Sequence, residues 1–287
     1  MSVRYASAVV NVIKTMNILP SSTETSVNFA DLEIPLSYLN DVNVIKDLIL
    51  CFWGHVLYIR NQIPLPLKNF TDGALKTLTS EPKSKSKSNG IKKLSDFDLR
   101  YQNLSKSLNS LLVGVDENRK FREMKSVCVM IGPSASSTLR EAYYLDFDNE
   151  YRSTEDVRVP CSQNQRDQCK RQLVRTMISN WDSDMTSSPI TNSFVAIRFQ
   201  GSASTALEIQ QSLLASGEIS DFNMKESLNI KVRKKSPPCF HLRVSASDYS
   251  DLTGPEPSTE CDDNSNPVDA NFWLVLRKGI KGVKSFR

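Results

Sequence analysis

The chain has only two histidines among its 287 residues, His55 and His241. Histidine is the side chain that most often acts as a general acid, a general base or a zinc ligand near neutral pH. Neither histidine has sequence neighbours that form a nucleophile, metal or acid–base pattern, which favours a structural role for both. The scarcity of histidine argues against an enzyme, and a hydrolase with a scattered site that uses His241 stays the remote alternative.

The sequence also lacks the spaced cysteines and glycine-rich loops that hold metals and phosphates. Its six cysteines are far apart, and the spacing of the closest pair, Cys161 and Cys169, matches no common zinc motif. Gly132 follows a predicted strand, where phosphate loops begin, but the Gly-Lys-Ser/Thr ending of such loops is missing. We therefore expect no metal and no cofactor, and the separated thiols favour a reducing compartment.

Neither a strong charge of one sign nor a long uncharged apolar run is present. The 36 basic residues outnumber the 32 acidic residues by only four, so the charge does not favour nucleic acid as the partner. The longest apolar run, Val42 to Ile59, contains Lys46, Asp47 and His55 and is short for a membrane span. A buried helix explains this run better, and we expect no membrane partner.

Hydrophobic residues make up 39% of the chain, below the roughly 45–50% that is usual for a compact domain. The polar excess lies in separate stretches that cannot bury enough apolar surface to become ordered. Residues 1–24 are therefore predicted to be a flexible N-terminal tail. Residues 25–287 are predicted to form a single domain with disordered loops at about 81–93 and 248–269.

Three segments have the apolar periodicity of helices. The run from Val42 to Ile59 is apolar around nearly its whole circumference. Asn40 or Asp41 can cap its start, and Pro64 and Pro66 end it. A second helix is predicted from Phe97 to Val115, with apolar residues in steps of four and three. A third is predicted from about Ser162 to Trp181. The first of these belongs in the centre of the domain.

Strands are predicted around and after these helices, as short apolar runs that end at turn residues. They are Val27 to Phe29, Ser126 to Ile131, Ala142 to Phe147, Phe194 to Phe199, Leu228 to Arg233, Phe240 to Ser245 and Phe272 to Leu276. The predicted helices come mostly early in the chain and the predicted strands mostly late. This order favours an α+β fold, with helices packed on one face of a mostly antiparallel sheet. The second and third of these strands are expected to be neighbours.

The third helix has more apolar surface than packing on one sheet requires. Its apolar residues cover an arc of about 180°, whereas a stripe of about 100° is enough to bury a helix on a sheet. The face predicted to pack on the sheet consists of Cys169, Leu173 and Met177. The face predicted to point outward consists of Arg171, Val174, Arg175 and Ile178. This outward face is either an apolar patch with a basic rim that binds a partner, or it is covered by the loop from Gln200 to Ser227.

Several segments resemble one known family. His55 to Pro66, HVLYIRNQIPLP, resembles the end of the first helix in the comet family of HORMA-like proteins, where the Tyr, Arg, Gln and Leu-Pro-Leu-Pro turn recur. Val127 to Gly132, followed by Glu141 to Asp146, is similar to a strand, glycine turn and strand of that family. Leu228 to Val232, Phe272-Trp273 and the ending Lys284 to Arg287 are similar to its late strands and C-terminus. The matches run in order from about residue 25 to the end.

The resemblance implies a HORMA-like fold, in which three helices lie against a sheet and C-terminal strands form a wrapping segment called the safety belt. It implies a non-enzymatic adaptor that binds the closed form of the checkpoint protein Mad-two by helix pairing. The adaptor would present Mad-two to the AAA-type ATPase Pch-two and silence the spindle assembly checkpoint in mitosis. The implied location is the nucleus and cytoplasm, at the spindle or kinetochore. The alternative is a HORMA-type clasp that captures a linear peptide under its C-terminal strands.

The family's partner contact comes from the first and third helices. The positions that match this contact are Val174 and Ile59. Together with the outward face of the third helix, they give the predicted partner-binding residues Ile59, Arg60, Arg171, Val174, Arg175 and Ile178. Val174 stands where the family has an aromatic residue, and Ile59 where it has a glutamine. Because valine buries less surface than phenylalanine, the interface is weaker unless the partner has changed to compensate. Glu226-Ser227 stands where the family offers a Pro-Lys pair to its ATPase.

Overall fold

A computed structural model describes residues 28–64, 66–67, 85–117, 123–134, 141–147, 160–181, 189–201, 211, 222–225, 240–246, 270–276 and 279–283. In chain order its elements are β1 (Asn28–Ile34), α1 (Leu36–Leu39), α2 (Val42–Ile59), α3 (Lys85–Glu117), β2 (Met124–Gly132), β3 (Glu141–Phe147), α4 (Gln163–Asn180), β4 (Asn192–Gly201), β5 (Phe222–Lys225), β6 (Phe240–Ala246), β7 (Ala270–Leu276) and β8 (Ile280–Lys281). The predicted tail, the predicted loop at 248–269 and the strand predicted from Leu228 to Arg233 lie outside the described residues.

The eight strands form one sheet. Their order is β1-β6-β3-β2-β4-β7-β5, and β8 also pairs with β4. Strand β6 runs parallel to β1 and β3, whereas β2–β3, β2–β4, β4–β7, β4–β8 and β5–β7 are antiparallel. The predicted α+β class with a mostly antiparallel sheet is confirmed, as is the pairing of β2 with β3.

Three long helices and the one-turn helix α1 occur in the part of the chain that the structure describes. The main core joins these helices to one face of the sheet, to which Val127, Val129 and Ile131 of β2 belong. Successive residues of a strand point to opposite faces, so Cys128 and Met130 belong to a second apolar cluster on the other face. The helices therefore pack on one face of the sheet, as predicted.

Helix α2 is central, and ten of its 18 residues are buried. It is long and apolar enough to cross a membrane by length and composition alone, a test that the core helix of a globular fold passes equally well. At its start, the Asp41 carboxylate accepts a hydrogen bond from the Asn43 amide at 2.8 Å. The prediction of a buried, Asp41-capped helix is confirmed.

A left-handed residue, rather than proline, ends α2. Asn61 has a φ of 53°, its amide bonds to the Tyr58 carbonyl at 3.0 Å, and the Gln62 amide bonds to the Leu57 carbonyl at 2.8 Å. This pair of bonds is the Schellman motif, which satisfies the last helical carbonyls. Pro64 follows after the chain has already turned, so its predicted role as the helix terminator is corrected.

Helix α3 begins earlier than predicted. The sequence predicts a loop at about 81–93, but the backbone is helical from Lys85 onward. Nucleating a helix is costly, whereas extending one costs little, and lysine is a good helix former. The packed part of α3 provides that nucleus, because Phe97 and Tyr101 both stack on Trp53 of α2 with ring centroids 6.1 and 5.9 Å apart. The absence of apolar periodicity therefore did not exclude a helix here.

Candidate functional site

Helix α4 has one buried face and one solvent-facing stripe. The buried residues are Cys169, Leu173 and Met177, as the sequence predicted. The exposed residues recur at steps of three and four along the whole helix: Asn164, Gln168, Arg171, Arg175 and Ile178. Residues at this spacing lie on one face of a helix. The outward stripe is therefore continuous over about four turns.

Ion pairs to α2 fix the orientation of α4. Asp47 of α2 pairs with Arg166 at 2.7 Å and with Lys170 at 3.7 Å, and Lys170 also pairs with Asp167 at 2.7 Å. At the start of α4, the Ser162 hydroxyl and the Gln165 side chain form a reciprocal capping box. The basic residues that face α2 are thus neutralised within the chain.

The contacts between α2 and α4 advance in step along both helices. They join Asp41 with Cys161, Asp47 with Arg166 and Cys51 with Lys170, pairs that are 120, 119 and 119 residues apart. A constant offset means that the two helices run parallel. The same offset puts Ile59, at the end of α2, level with Ile178 near the end of α4. The partner contacts predicted on two separate helices therefore share one end of the helical layer.

The predicted outward residues of α4 differ in how far they are exposed. Ile178 is 60% exposed, which is unusual for a large apolar side chain. Val174 is only half-buried and packs against the main core, so its predicted outward position is corrected to a boundary position. Arg171 and Arg175 are exposed, and with Gln168 and Gln172 they line an open depression on the helix.

Arg60 does not belong to this surface. It is 1% exposed, and its guanidinium donates to both carboxylate oxygens of Glu141, from Nε at 2.8 Å and from Nη2 at 2.6 Å. The Tyr143 hydroxyl donates to the same carboxylate at 2.7 Å. The predicted partner contact at Arg60 is therefore wrong for the folded chain, because a buried, doubly bonded guanidinium cannot reach another protein.

The surroundings of Arg60 favour the charged form of its guanidinium. Burial alone would lower the pKa of Arg60, but the hydrogen bonds and the charge of Glu141 raise it above its usual value. Buried charges are tolerated only when they are paired and hydrogen-bonded. The pair joins the end of α2 to the start of β3, across 81 residues of sequence. Its role is to fix these two elements relative to each other.

Gln62 anchors the C-terminal part of the chain. Its backbone carbonyl accepts a hydrogen bond from the Val283 amide at 2.7 Å, and its side-chain oxygen accepts one from the Thr191 amide at 2.9 Å. A Cβ added to Gly282 would lie 2.5 Å from the Gln62 carbonyl oxygen, so only glycine fits there. The segment after β7 is thus held against the loop that follows α2.

The two histidines have different surroundings. His241 Nδ1 lies 3.3 Å from Asp146 Oδ2, and its ring stacks on Tyr144 at 4.4 Å. Sequence reasoning missed this pair because Asp146 is 95 residues away. His55 is half-buried in α2, and burial lowers its pKa. Among the described residues, no group of three His, Cys, Asp or Glu side chains could hold a metal ion.

The cysteine thiols next to α4 are protonated at neutral pH. Burial raises the pKa of the Cys51 and Cys161 thiols to about 11. A thiol is a strong nucleophile only as the thiolate. These cysteines are therefore poorly suited to nucleophilic catalysis.

No protein-family model matches the chain, and no curated protein matches its sequence.

Proposed function

We propose that this protein is a non-enzymatic adaptor that binds the closed form of Mad-two through α4 and the end of α2. It presents Mad-two to the AAA-type ATPase Pch-two and so silences the spindle assembly checkpoint. The observation that carries the proposal is the outward stripe of α4, which ends in the 60% exposed side chain of Ile178. With the half-buried Val174 and the exposed Arg171 and Arg175, Ile178 forms an apolar patch with a basic rim, which is typical of a recognition surface.

The arrangement of elements supports a HORMA-like fold in particular. Three long helices lie on one face of the sheet, and the apolar α2 is central among them. The C-terminal strands β7 and β8 both pair with β4, where β7 takes Ala196–Gly201 and β8 takes Asn192 and Ser193. The resemblance implies that C-terminal strands form the safety belt, and β7 and β8 are the C-terminal strands of the described chain.

The rigidity of α4 supports helix pairing as the mode of binding. Its capping box and its ion pairs with Asp47 hold the helix in one orientation before a partner arrives. Pre-organised surfaces lose less conformational entropy on binding. The departure at Val174 also has a local explanation, because a half-buried valine contributes to the core as well as to the surface. Ile178 then supplies the exposed apolar contact.

A reconstituted conversion assay tests the adaptor role. Closed Mad-two, Pch-two and ATP are incubated with and without this protein, and the open form is followed by ion-exchange chromatography. We expect conversion to depend on this protein, and to be lost with Ile178→Asp. Leu99→Asp is the matched control, because Leu99 on α3 is 59% exposed. Conversion at the same rate without this protein would contradict the proposal.

A HORMA-type clasp is the second candidate, and the hold of Gln62 on Val283 favours it. The described segment 279–283 joins the sheet through β8, which pairs with β4, and through hydrogen bonds that include those from the Val283 amide to Gln62 and from Arg100 to the Gly279 carbonyl. C-terminal strands held along a sheet in this way can close over an added peptide strand. If the clasp is correct, truncation after Thr253 is expected to abolish peptide capture. A truncation that abolishes Mad-two binding but not peptide capture would not support the clasp.

A further inference from the structure

The basic residues of α4 fall into two groups with different partners. Arg166 and Lys170 face α2, where Asp47 and Asp167 pair with them. In the described part of the chain, no acidic side chain lies within ion-pair distance of Arg171 or Arg175. Within the described residues, the inward basic side chains of this helix are therefore neutralised and the outward ones are not.

The geometry of the two outward arginines is regular. They are four residues apart, so they stand one turn apart on the same face, about 6 Å from each other along the axis. Asp167 lies four residues before Arg171, where it could have paired with it, but its carboxylate bonds to Lys170 and Gln163 instead. The N–H donors of the two exposed guanidinium groups therefore lie one helical turn apart on the same face.

Gln168, one turn before Arg171, and Gln172, between the two arginines, line the same open depression. The Gln172 amide donates to the Glu33 carbonyl at 2.7 Å, which holds that side chain at the edge toward β1. Beyond Arg175 the stripe changes from basic to apolar at Ile178. The surface is therefore basic in the middle of α4 and apolar near the C-terminal end of the helix.

We infer that this surface binds an acidic amphipathic helix, with two carboxylates one turn apart against Arg171 and Arg175 and an apolar side chain one turn further on against Ile178. Arginine pairs with carboxylates through two parallel hydrogen bonds, so spaced carboxylates fit the spaced guanidinium groups. Charge complementarity of this kind sets orientation and register. The inference rests on the proposed function, because it specifies the partner chemistry of the same surface.

The test uses two designed helical peptides of about 18 residues. One has glutamates at two positions one turn apart and a leucine one turn beyond them, and the other has lysines in place of the glutamates. Binding to the full chain is measured by fluorescence anisotropy and by the amide chemical shifts of α4. We expect the glutamate peptide to bind, and Arg171→Glu/Arg175→Glu to weaken it by about tenfold or more. The lysine peptide should prefer that double variant.

Lys106→Glu/Lys281→Glu is the control, because it reverses two exposed charges away from α4. Equal binding of the two peptides, or an equal loss in the control, would overturn the inference. Displacement of the glutamate peptide by a short oligonucleotide at the same charge concentration would overturn it as well, since it would indicate unspecific attraction of anions.

Capture of Mad-two separates the inference from the proposed function. If Mad-two is captured and Ile178→Asp abolishes capture while Arg171→Glu/Arg175→Glu does not, the inference fails and the proposed function stands. If Mad-two is not captured but the peptides discriminate as expected, the proposed function fails and the inference stands.

Discussion

Breaking the buried pair between Arg60 and Glu141 should destabilise the fold without touching the proposed binding surface. Both residues are nearly inaccessible, at 1% and 2% exposure. Replacing either partner alone, as in Arg60→Met or Glu141→Leu, leaves the other as a buried charge that has lost its opposite charge. Such a change typically costs about 3–5 kcal/mol, a large part of the roughly 5–15 kcal/mol that stabilises a domain.

The double variant Arg60→Met/Glu141→Leu should cost less than either single change. It removes both charges, and the residual loss of about 1–3 kcal/mol comes from the Tyr143 hydroxyl, which loses its acceptor. Urea unfolding followed by tryptophan fluorescence gives the free energy of unfolding of all three variants. A double variant that loses as much as the two single variants added together would refute this reasoning, as would single losses below about 1 kcal/mol.

Three further predictions concern the rest of the molecule. Gly282→Ala should lower the free energy of unfolding by about 1–3 kcal/mol, because the added Cβ would clash with the Gln62 carbonyl oxygen. Hydrogen exchange should also show that the Val283 amide is less protected in this variant. With a pKa of about 11, the Cys51 thiol should react slowly with a thiol reagent at pH 7.5 and quickly once urea unfolds the chain; equal rates would contradict the account. Burial lowers the pKa of His55 in the folded chain, so below about pH 6.5 the unfolded chain binds more protons than the folded chain. The free energy of unfolding should therefore fall as the pH drops below about 6.5. Urea midpoints that fall just as much in His55→Gln would contradict this assignment.

Local patterns predicted most of the described elements. The apolar circumference of α2, the inward face of α4 and the compact apolar run of β2 depend on neighbouring residues, and each is present as predicted. The short strands β5 and β8 were not predicted. They have four and two residues, too few for a periodic pattern, and they are stabilised by pairing with β7 and β4.

The site was predicted less well than the fold, because its residues depend on distant partners. Arg60 was predicted to be a partner contact. Its ion-pair partner Glu141 is 81 positions later in the sequence, and only the fold brings the two side chains together. Val174 looked outward by helical angle alone, but it packs against the core. Ile178 is therefore a cleaner probe of the surface than Val174, since a change there does not disturb the core.

Capture of closed Mad-two on immobilised protein tests the central claim most directly. Wild type, Ile178→Asp and the control Leu99→Asp are compared against the closed and open forms of Mad-two at equal concentration. The account predicts that wild type and the control retain the closed form in preference to the open form, and that Ile178→Asp retains neither. Equal retention of the closed form by Ile178→Asp and by wild type would contradict it, as would equal capture of both forms by wild type.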